Sequence, residues 1–252
     1  MLFSDIIIGP IKSRRLGLSL GVNLLPTTSK ICNFDCIYCE CGWNAENRGQ
    51  EGFAQADMAI EALEQRLSQM ETPPDVITFA GNGEPTLHPH FEQIITSTIE
   101  LRNKYAPKAR VAVLSNATRL CDESVRRALL LVDQNILKLD SVRPQMAALI
   151  NKPQGCYNIE EVISHMRQFH GKITIQTMLL KGSYRGESVD NTSDEDIALW
   201  LDAVESIAPH DVMLYTLDRT PPCSTLERVS FERMEQIAEQ VRALGVECSV
   251  AK

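Results

Sequence analysis

The feature that most constrains this chain is a regular exchange of two hydrophobic periods from about residue 55 onward. Ile60, Leu63, Leu67 and Met70 recur at helical spacing, and after the Pro73-Pro74 break comes the short β-rich run Val76-Ile77-Thr78-Phe79. A second helical face (Phe91, Ile94, Ile95, Thr98, Ile99) leads into the strand Val111-Ala112-Val113-Leu114. The same reading gives a helix over about 122–131, a strand at Ile136-Leu137-Lys138-Leu139, a helix near 159–169 and a strand from Ile173 to Leu180. Ser193 with Asp196 is a capping-box pattern opening a helix that buries Ile197, Trp200, Leu201 and Val204. After the strand Val212 to Tyr215, the last helix opens at Ser230, runs through Met234, Ile237, Val241 and Leu244, and stops at Gly245. With Leu18 to Leu24 as the first strand there are six strand–helix units, and Val246 to Val250 adds a seventh strand.

Such alternation means βαβ units and a parallel sheet, either doubly wound or curved into a full or partial barrel; the pattern alone does not separate these. No internal repeat, low-complexity tract or linker sets off a second domain, so residues 1–252 read as one. In either architecture ligands sit at the carboxyl ends of the strands. The residues with chemistry fall there: the cysteine cluster follows the first strand, Gly81-Asn82-Gly83-Glu84-Pro85 the second, Ser115-Asn116 the third and Asp140-Ser141 the fourth.

Cys32, Cys36, Cys39 and Cys41 lie within ten residues, whereas Cys121, Cys156, Cys223 and Cys248 are solitary. A disulfide framework belongs to short secreted chains, and 252 residues can bury a core without staples. The basic residues Lys12, Arg14 and Arg15 follow Ile6-Ile7-Ile8, the reverse of a secretory signal, and the apolar runs are too short to span a bilayer. A cytoplasmic protein without membrane association is the expectation, and its clustered thiols point to metal. Structural zinc takes four ligands, often as two separated pairs, and no second pair is present. Three thiolates on one tight loop suit three irons of a [4Fe–4S] cube and leave the fourth open to a ligand. Phe34, Ile37 and Tyr38 would keep the cluster dry. Cys41 as a fourth ligand would close the cube and make an electron carrier, but Cys39 and Cys41 stand too near each other in sequence to reach two corners easily. A formal charge of −8 argues against a broad non-specific nucleic-acid binder, while a local basic patch for one folded RNA stays open.

The Cys32-x3-Cys36-x2-Cys39 spacing, with Tyr38 just before the third cysteine, resembles the radical S-adenosylmethionine (SAM) superfamily, and Gly81-Asn82-Gly83-Glu84 resembles its glycine-rich motif. Gly9-Pro10 with Ser13-Arg14-Arg15-Leu16-Gly17, the cysteine loop and Gly81 to Pro89 together resemble an Fe–S oxidoreductase branch related to the wyosine-tRNA synthetases. The resemblance implies an α/β fold of the partial (β/α)6, TIM-like barrel type. It also implies a [4Fe–4S] cluster on Cys32, Cys36 and Cys39, and SAM chelated to the open iron. The cofactor would be cleaved reductively to a 5′-deoxyadenosyl radical that takes a hydrogen atom from substrate. A reductant such as flavodoxin or ferredoxin is implied with it. Gly81, Asn82, Gly83 and Glu84 are expected near the methionyl amino group, Ser115, Asn116 and Asp140 near its carboxylate or the ribose, and the Tyr38 backbone near the adenine.

Three residues are candidate catalytic groups without an assigned role: Cys223 in the Thr220-Pro221-Pro222-Cys223 loop, Arg15, and Lys138 at a strand end, with Lys181 a further substrate group. His88 and His90, flanking Pro89 at a helix start, read as structural. Three other readings accompany the radical enzyme acting on an unidentified substrate. One is an activase for a glycyl-radical partner protein, the second a tRNA-modifying enzyme of the wyosine type, and the third an iron–sulfur electron-transfer or zinc module. Wyosine relatives carry a second cluster or a flavodoxin domain, of which this sequence has no local sign.

Overall fold

Near-continuous apolar runs such as Val76-Ile77-Thr78-Phe79 are what a parallel strand covered on both faces requires, and all four residues are buried. The computed structural model describes residues 2–13, 17–49 and 51–251. The chain forms two compact units, the first from residues 1–32, 44–115 and 119–135, the second from 33–43, 116–118 and 136–252. The fold is mixed α/β with mainly parallel strand pairing.

In the first unit β1 (Ile7–Ser13) pairs antiparallel with β2 (Gly17–Val22), which pairs in parallel with β3 (Val76–Phe79), and β3 with β4 (Arg110–Ser115). Helix α1 (Ala56–Gln69) packs on α2 (Phe91–Tyr105), and α2 on α3 (Glu123–Leu131). The core is the inward faces: Ala59, Leu63 and Leu67 of α1, Ile94, Ile95 and Leu101 of α2, Ile77 and Phe79 of β3.

The second unit repeats the principle. Strand β5 (Gln134–Lys138) pairs in parallel with β6 (Thr174–Met178), β6 with β9 (Asp211–Tyr215), and β9 with β11 (Glu247–Val250). Between them run α4 (Pro144–Asn151), α5 (Ile159–Arg167), α6 (Asp194–Ile207) and α7 (Phe231–Ala243). A small antiparallel sheet is made by β7 (Leu180–Tyr184) between β8 (Glu187–Asp190) and β10 (Leu226–Arg228). Ser193 caps α6 by accepting from the Asp196 amide at 3.1 Å, and Ser230 caps α7 through the Arg233 amide at 3.2 Å, as the sequence patterns imply.

Several elements differ from expectation. The apolar stretch from Ile173 to Leu180 is two strands, because the chain changes partners there: β6 runs parallel to β9 up to Leu179, whose amide still bonds the Tyr215 carbonyl, and β7 then pairs antiparallel with β8 and β10. β1, α4, β8 and β10 have no counterpart in the sequence reading: three are short or edge strands, and α4 spans only eight residues with no side-chain cap. The α6 and α7 faces are as expected except that Leu201 is only partly covered and Leu244 is exposed. Among the described residues no helix is long and apolar enough to cross a membrane.

Candidate functional site

The cysteine loop is held by backbone hydrogen bonds before any metal is considered. In the second unit the Asp35 amide donates to the Asn151 and Lys152 carbonyls at 3.0 and 3.2 Å. The Ile37 amide donates to the Ile150 carbonyl at 3.0 Å, and the Gln154 amide to the Asn33 carbonyl at 2.8 Å. The C-terminal end of α4 can offer these carbonyls because a helix leaves its last ones unbonded. Lys152 adopts the left-handed conformation (φ 43°), which turns the chain there. Within the loop, the Cys39 amide donates to the Cys36 carbonyl at 3.0 Å and the Gly42 amide to the Cys39 carbonyl at 2.9 Å, two successive tight turns. Phe34 and Ile37 are buried, Phe34 against the edge of Tyr157 and Ile37 among Tyr38, Ile150, Met178 and Cys223. Cys32, Cys36 and Cys39 are all partly exposed, and among the described residues no cysteine is in a disulfide.

The glycine turn belongs to the first unit and is built against the residue before Cys32. The Ile31 amide donates to the Asn82 carbonyl at 3.1 Å and the Glu84 amide to the Ile31 carbonyl at 3.0 Å. Gly83 has φ +139°, and a Cβ there would stand 1.8 Å from the Ile31 carbonyl oxygen. At Gly81 a Cβ would meet Asn23 Oδ1 at 2.1 Å. Both glycines are therefore required for close approach of chain to chain. Asn82 is fully buried; its amide group donates to the carbonyls of Phe3 and Pro26, each at 2.8 Å. Glu84 Oε1 accepts from the Thr86 amide, the Thr86 hydroxyl and Ser115 Oγ at 3.0, 2.6 and 2.9 Å. Ser115 and Glu84, expected at the cofactor, thus brace one another behind the turn.

Asp140 lies at the end of β5 in the second unit with its side chain fully buried. Its carboxylate accepts from Tyr38 Oη at 2.7 Å and the Met178 amide at 3.0 Å, and pairs with Lys138 Nζ at 2.5 Å. Lys138 also hydrogen-bonds Tyr38 Oη and lies 4.3 Å from the ring centroid. Burial opposes the Lys138 charge, but the electrostatic attraction around it, that of the Asp140 carboxylate foremost, outweighs burial and holds the ammonium above the ordinary lysine range. The triad pins Tyr38, and with it the segment between Cys36 and Cys39. Asn116, the other expected cofactor contact in this unit, donates to Asn33 Oδ1 at 2.8 Å and accepts from the Thr118 amide and hydroxyl. It too supports the cysteine loop.

Of the candidate catalytic groups, Cys223 is buried; its amide donates to the Ile37 carbonyl at 3.3 Å and its thiol lies 3.2 Å from Thr225 Oγ1. Lys181 is half-exposed, 3.9 Å from Asp190. Arg14 and Arg15 lie outside the described residues. His88 is structural: Nε2 bonds the Ala54 carbonyl at 2.8 Å and Nδ1 accepts from the His90 amide at 3.1 Å. Asn23, Asn33, Asn151 and Thr86 were not marked by the sequence. Each acts on a partner far along the chain or through a backbone turn, which no local pattern signals.

Among the described residues no three His, Cys, Asp or Glu side chains stand close enough to hold a single metal ion. A cube makes a different demand, one thiolate at each of three corners, so its ligands stand further apart than those of one ion. Three reduced thiols on one anchored loop, whose Asp35 carboxylate is paired with Lys152 Nζ at 3.4 Å, are a soft donor set that fits iron–sulfur chemistry.

The Radical SAM superfamily model matches residues 27–190, which contain the cysteine loop, the glycine turn and the Lys138–Asp140 pair. A UPF0026 protein of Helicobacter pylori (strain J99) is 31% identical over 217 residues, 85% of this chain and 67% of that protein. Among solved structures, a radical SAM methyltransferase from Sphaerobacter thermophilus superposes with a TM-score of 0.68 at 17% identity, over 92% of this chain and 65% of that chain. Streptococcus suis SuiB bound to S-adenosylmethionine gives 0.66 at 15%, over 92% of this chain and 50% of that one. The chain spans between half and about two thirds of these solved structures, and its mainly parallel strands are consistent with a partial (β/α)6 barrel.

Proposed function

This chain belongs to the radical SAM superfamily, and we propose that it is an enzyme that holds a [4Fe–4S] cluster on Cys32, Cys36 and Cys39 and cleaves SAM reductively to act on a substrate yet to be identified. The observation that carries the reading is the glycine turn's hydrogen bonding to Ile31, the residue directly before Cys32, inside the span the family model matches. The bound cluster would supply one electron to the SAM sulfonium, releasing methionine and a 5′-deoxyadenosyl radical that takes a hydrogen atom from substrate.

The chain's own residues have the remaining work. Buried Phe34 and Ile37 exclude water from the inner side of the cysteine loop. Tyr38, clamped by Asp140 and Lys138, fixes the backbone between two thiolates, the segment proposed to meet the adenine. Gly81 to Glu84 present backbone rather than side chain to the methionyl ammonium, with the Glu84 carboxylate behind them. A flavodoxin- or ferredoxin-type reductant would deliver the electron. The test is anaerobic reconstitution with iron and sulfide, then dithionite and SAM, with assay of 5′-deoxyadenosine. Product from the wild type and none from Cys36→Ala is the expected result. A well-formed cluster that neither binds nor cleaves SAM would replace this reading with an electron carrier in which Cys41 closes the cube.

A further inference from the structure

The Cys36 thiol donates to Asn151 Oδ1 at 3.6 Å, across 115 residues of sequence. Asn151 is the last residue of α4 and is 2% exposed. Its own carbonyl and those of Ile150 and Lys152 on either side accept from the Asp35 and Ile37 amides, so the side chain and the cysteine approach each other between fixed backbone anchors. Neither partner can drift away without breaking that ladder. An apolar side chain of similar size would fill the position equally well if packing were its purpose. An amide buried against a thiol is instead a polar group aimed at sulfur.

We propose that Asn151 is a positioning residue for Cys36: it hydrogen-bonds the sulfur of that one cluster corner and sets how readily the cluster accepts an electron. This inference rests on the cluster of the proposed function. A thiol gives its proton up when it binds iron, and from then on its sulfur accepts hydrogen bonds instead of donating them. The carboxamide suits both states, because a half-turn about its terminal bond brings Nδ2–H to where Oδ1 stood. An N–H at a ligating sulfur stabilises the form carrying more negative charge, which is the reduced one. Removing it makes reduction harder, while a carboxylate at the same place adds repulsion.

The test compares wild-type holoprotein with Asn151→Leu and Asn151→Asp, reconstituted anaerobically and titrated with dithionite while the reduced cluster is followed by EPR. Far-UV circular dichroism checks that each folds. The expected result for Asn151→Leu is an approximately ten-fold loss of reduced fraction at fixed potential, about 59 mV downward for a one-electron couple. Asn151→Asp, nearly isosteric and so the variant that tests the idea if Leu does not fold, shifts at least as far in the same direction. Pulsed EPR after exchange into D2O should show an exchangeable proton coupled to the wild-type cluster and missing from Asn151→Leu. Variants whose reduced fraction stays within two-fold of wild type, beside a normal wild-type cluster, overturn this inference and leave the proposed function standing. A wild type that assembles no cluster overturns both.

Discussion

Gly83 is where a single atom would do most damage in the first unit. Its φ of +139° is closed to ordinary L-residues, and its missing Cβ leaves the room the Ile31 carbonyl occupies, 1.8 Å from where that atom would sit. Gly186, at the tip between β7 and β8, also has a left-handed φ (+84°) but no heavy atom within 4 Å of its Cβ position. The pair separates strain from collision. Gly186→Ala is expected to cost about 1 kcal/mol of stability, the penalty for the left-handed region alone. Gly83→Ala adds displaced backbone and is expected to cost roughly 3 kcal/mol or more. It should also lower iron bound per chain, since Ile31 carries the strand of hydrogen bonds next to Cys32. Urea unfolding under anaerobic conditions with iron analysis measures both, and equal costs for the two variants would refute the collision argument. The glycines and cysteines were legible in the sequence because their spacing is local. What each does was less so: Asn82 ties in the Phe3 backbone, Ser115 braces Glu84, and Asp140 is saturated by Tyr38, Lys138 and Met178. No spacing rule reveals that a side chain at a strand end is engaged by its neighbours.

Helices show the same division between local and distant causes. The caps at Ser193 and Ser230 could be read from three or four residues, whereas α4 begins at a proline after Arg143 with no capping side chain, and its purpose is to meet a loop more than a hundred residues earlier. The break between β6 and β7 was equally hidden, because it lies where the chain leaves its parallel partner β9 and takes up antiparallel pairing with β8 and β10. The entry to α2 uses a histidine instead of the usual hydroxyl or carboxylate: His90 makes no side-chain cap, and His88 Nδ1 accepts the His90 amide while Nε2–H meets the Ala54 carbonyl. An accepting Nδ1 requires the neutral ring, and burial, opposed in part by the Ala54 bond, lowers the His88 pKa below its ordinary 6.5. The unfolded chain therefore takes up a proton near 6.5 that the folded chain still refuses. The contribution of His88 is fully present above that value and is lost as pH falls through the folded pKa, with a slope of at most about 1.4 kcal/mol per pH unit. His88→Gln should be less stable than wild type at pH 8, and the gap should narrow at pH 5.5 in anaerobic urea titrations. A gap unchanged by pH would mean that the ring is held by packing alone.

At the scale of the molecule the question is whether the cofactor builds the fold or is received by it. Small metal domains are unfolded without their ion, because the ligands are the core. Here each unit has its own apolar interior, Leu63, Ile77, Phe79, Ile94 and Val111 in the first, Leu137, Ile150, Ile175, Trp200, Val212 and Ile237 in the second, none of them near-neighbours in sequence of the cluster thiols. The loop between Asn33 and Gly42 is anchored by backbone bonds to residues 150–154 and by the Tyr38–Asp140–Lys138 triad, and iron enters none of these. Removing the cluster by anaerobic chelation should therefore leave the far-UV circular dichroism spectrum essentially unchanged and unfolding still cooperative. The midpoint should fall, since a ligand that binds only the folded state adds its binding free energy to stability. The loss should be confined to the loop: hydrogen exchange is expected to quicken at the Cys39 and Gly42 amides, whose partners are within the loop, and to stay slow at Asp35 and Ile37, which are bonded to α4 and its cap. An iron-free chain with the circular dichroism of a coil would show that the cysteine loop is a keystone and not a guest site. An iron-free chain that stays folded with only those inner turns loosened would mean that the protein presents a prepared cradle, and that the order of events is folding first and cluster insertion second.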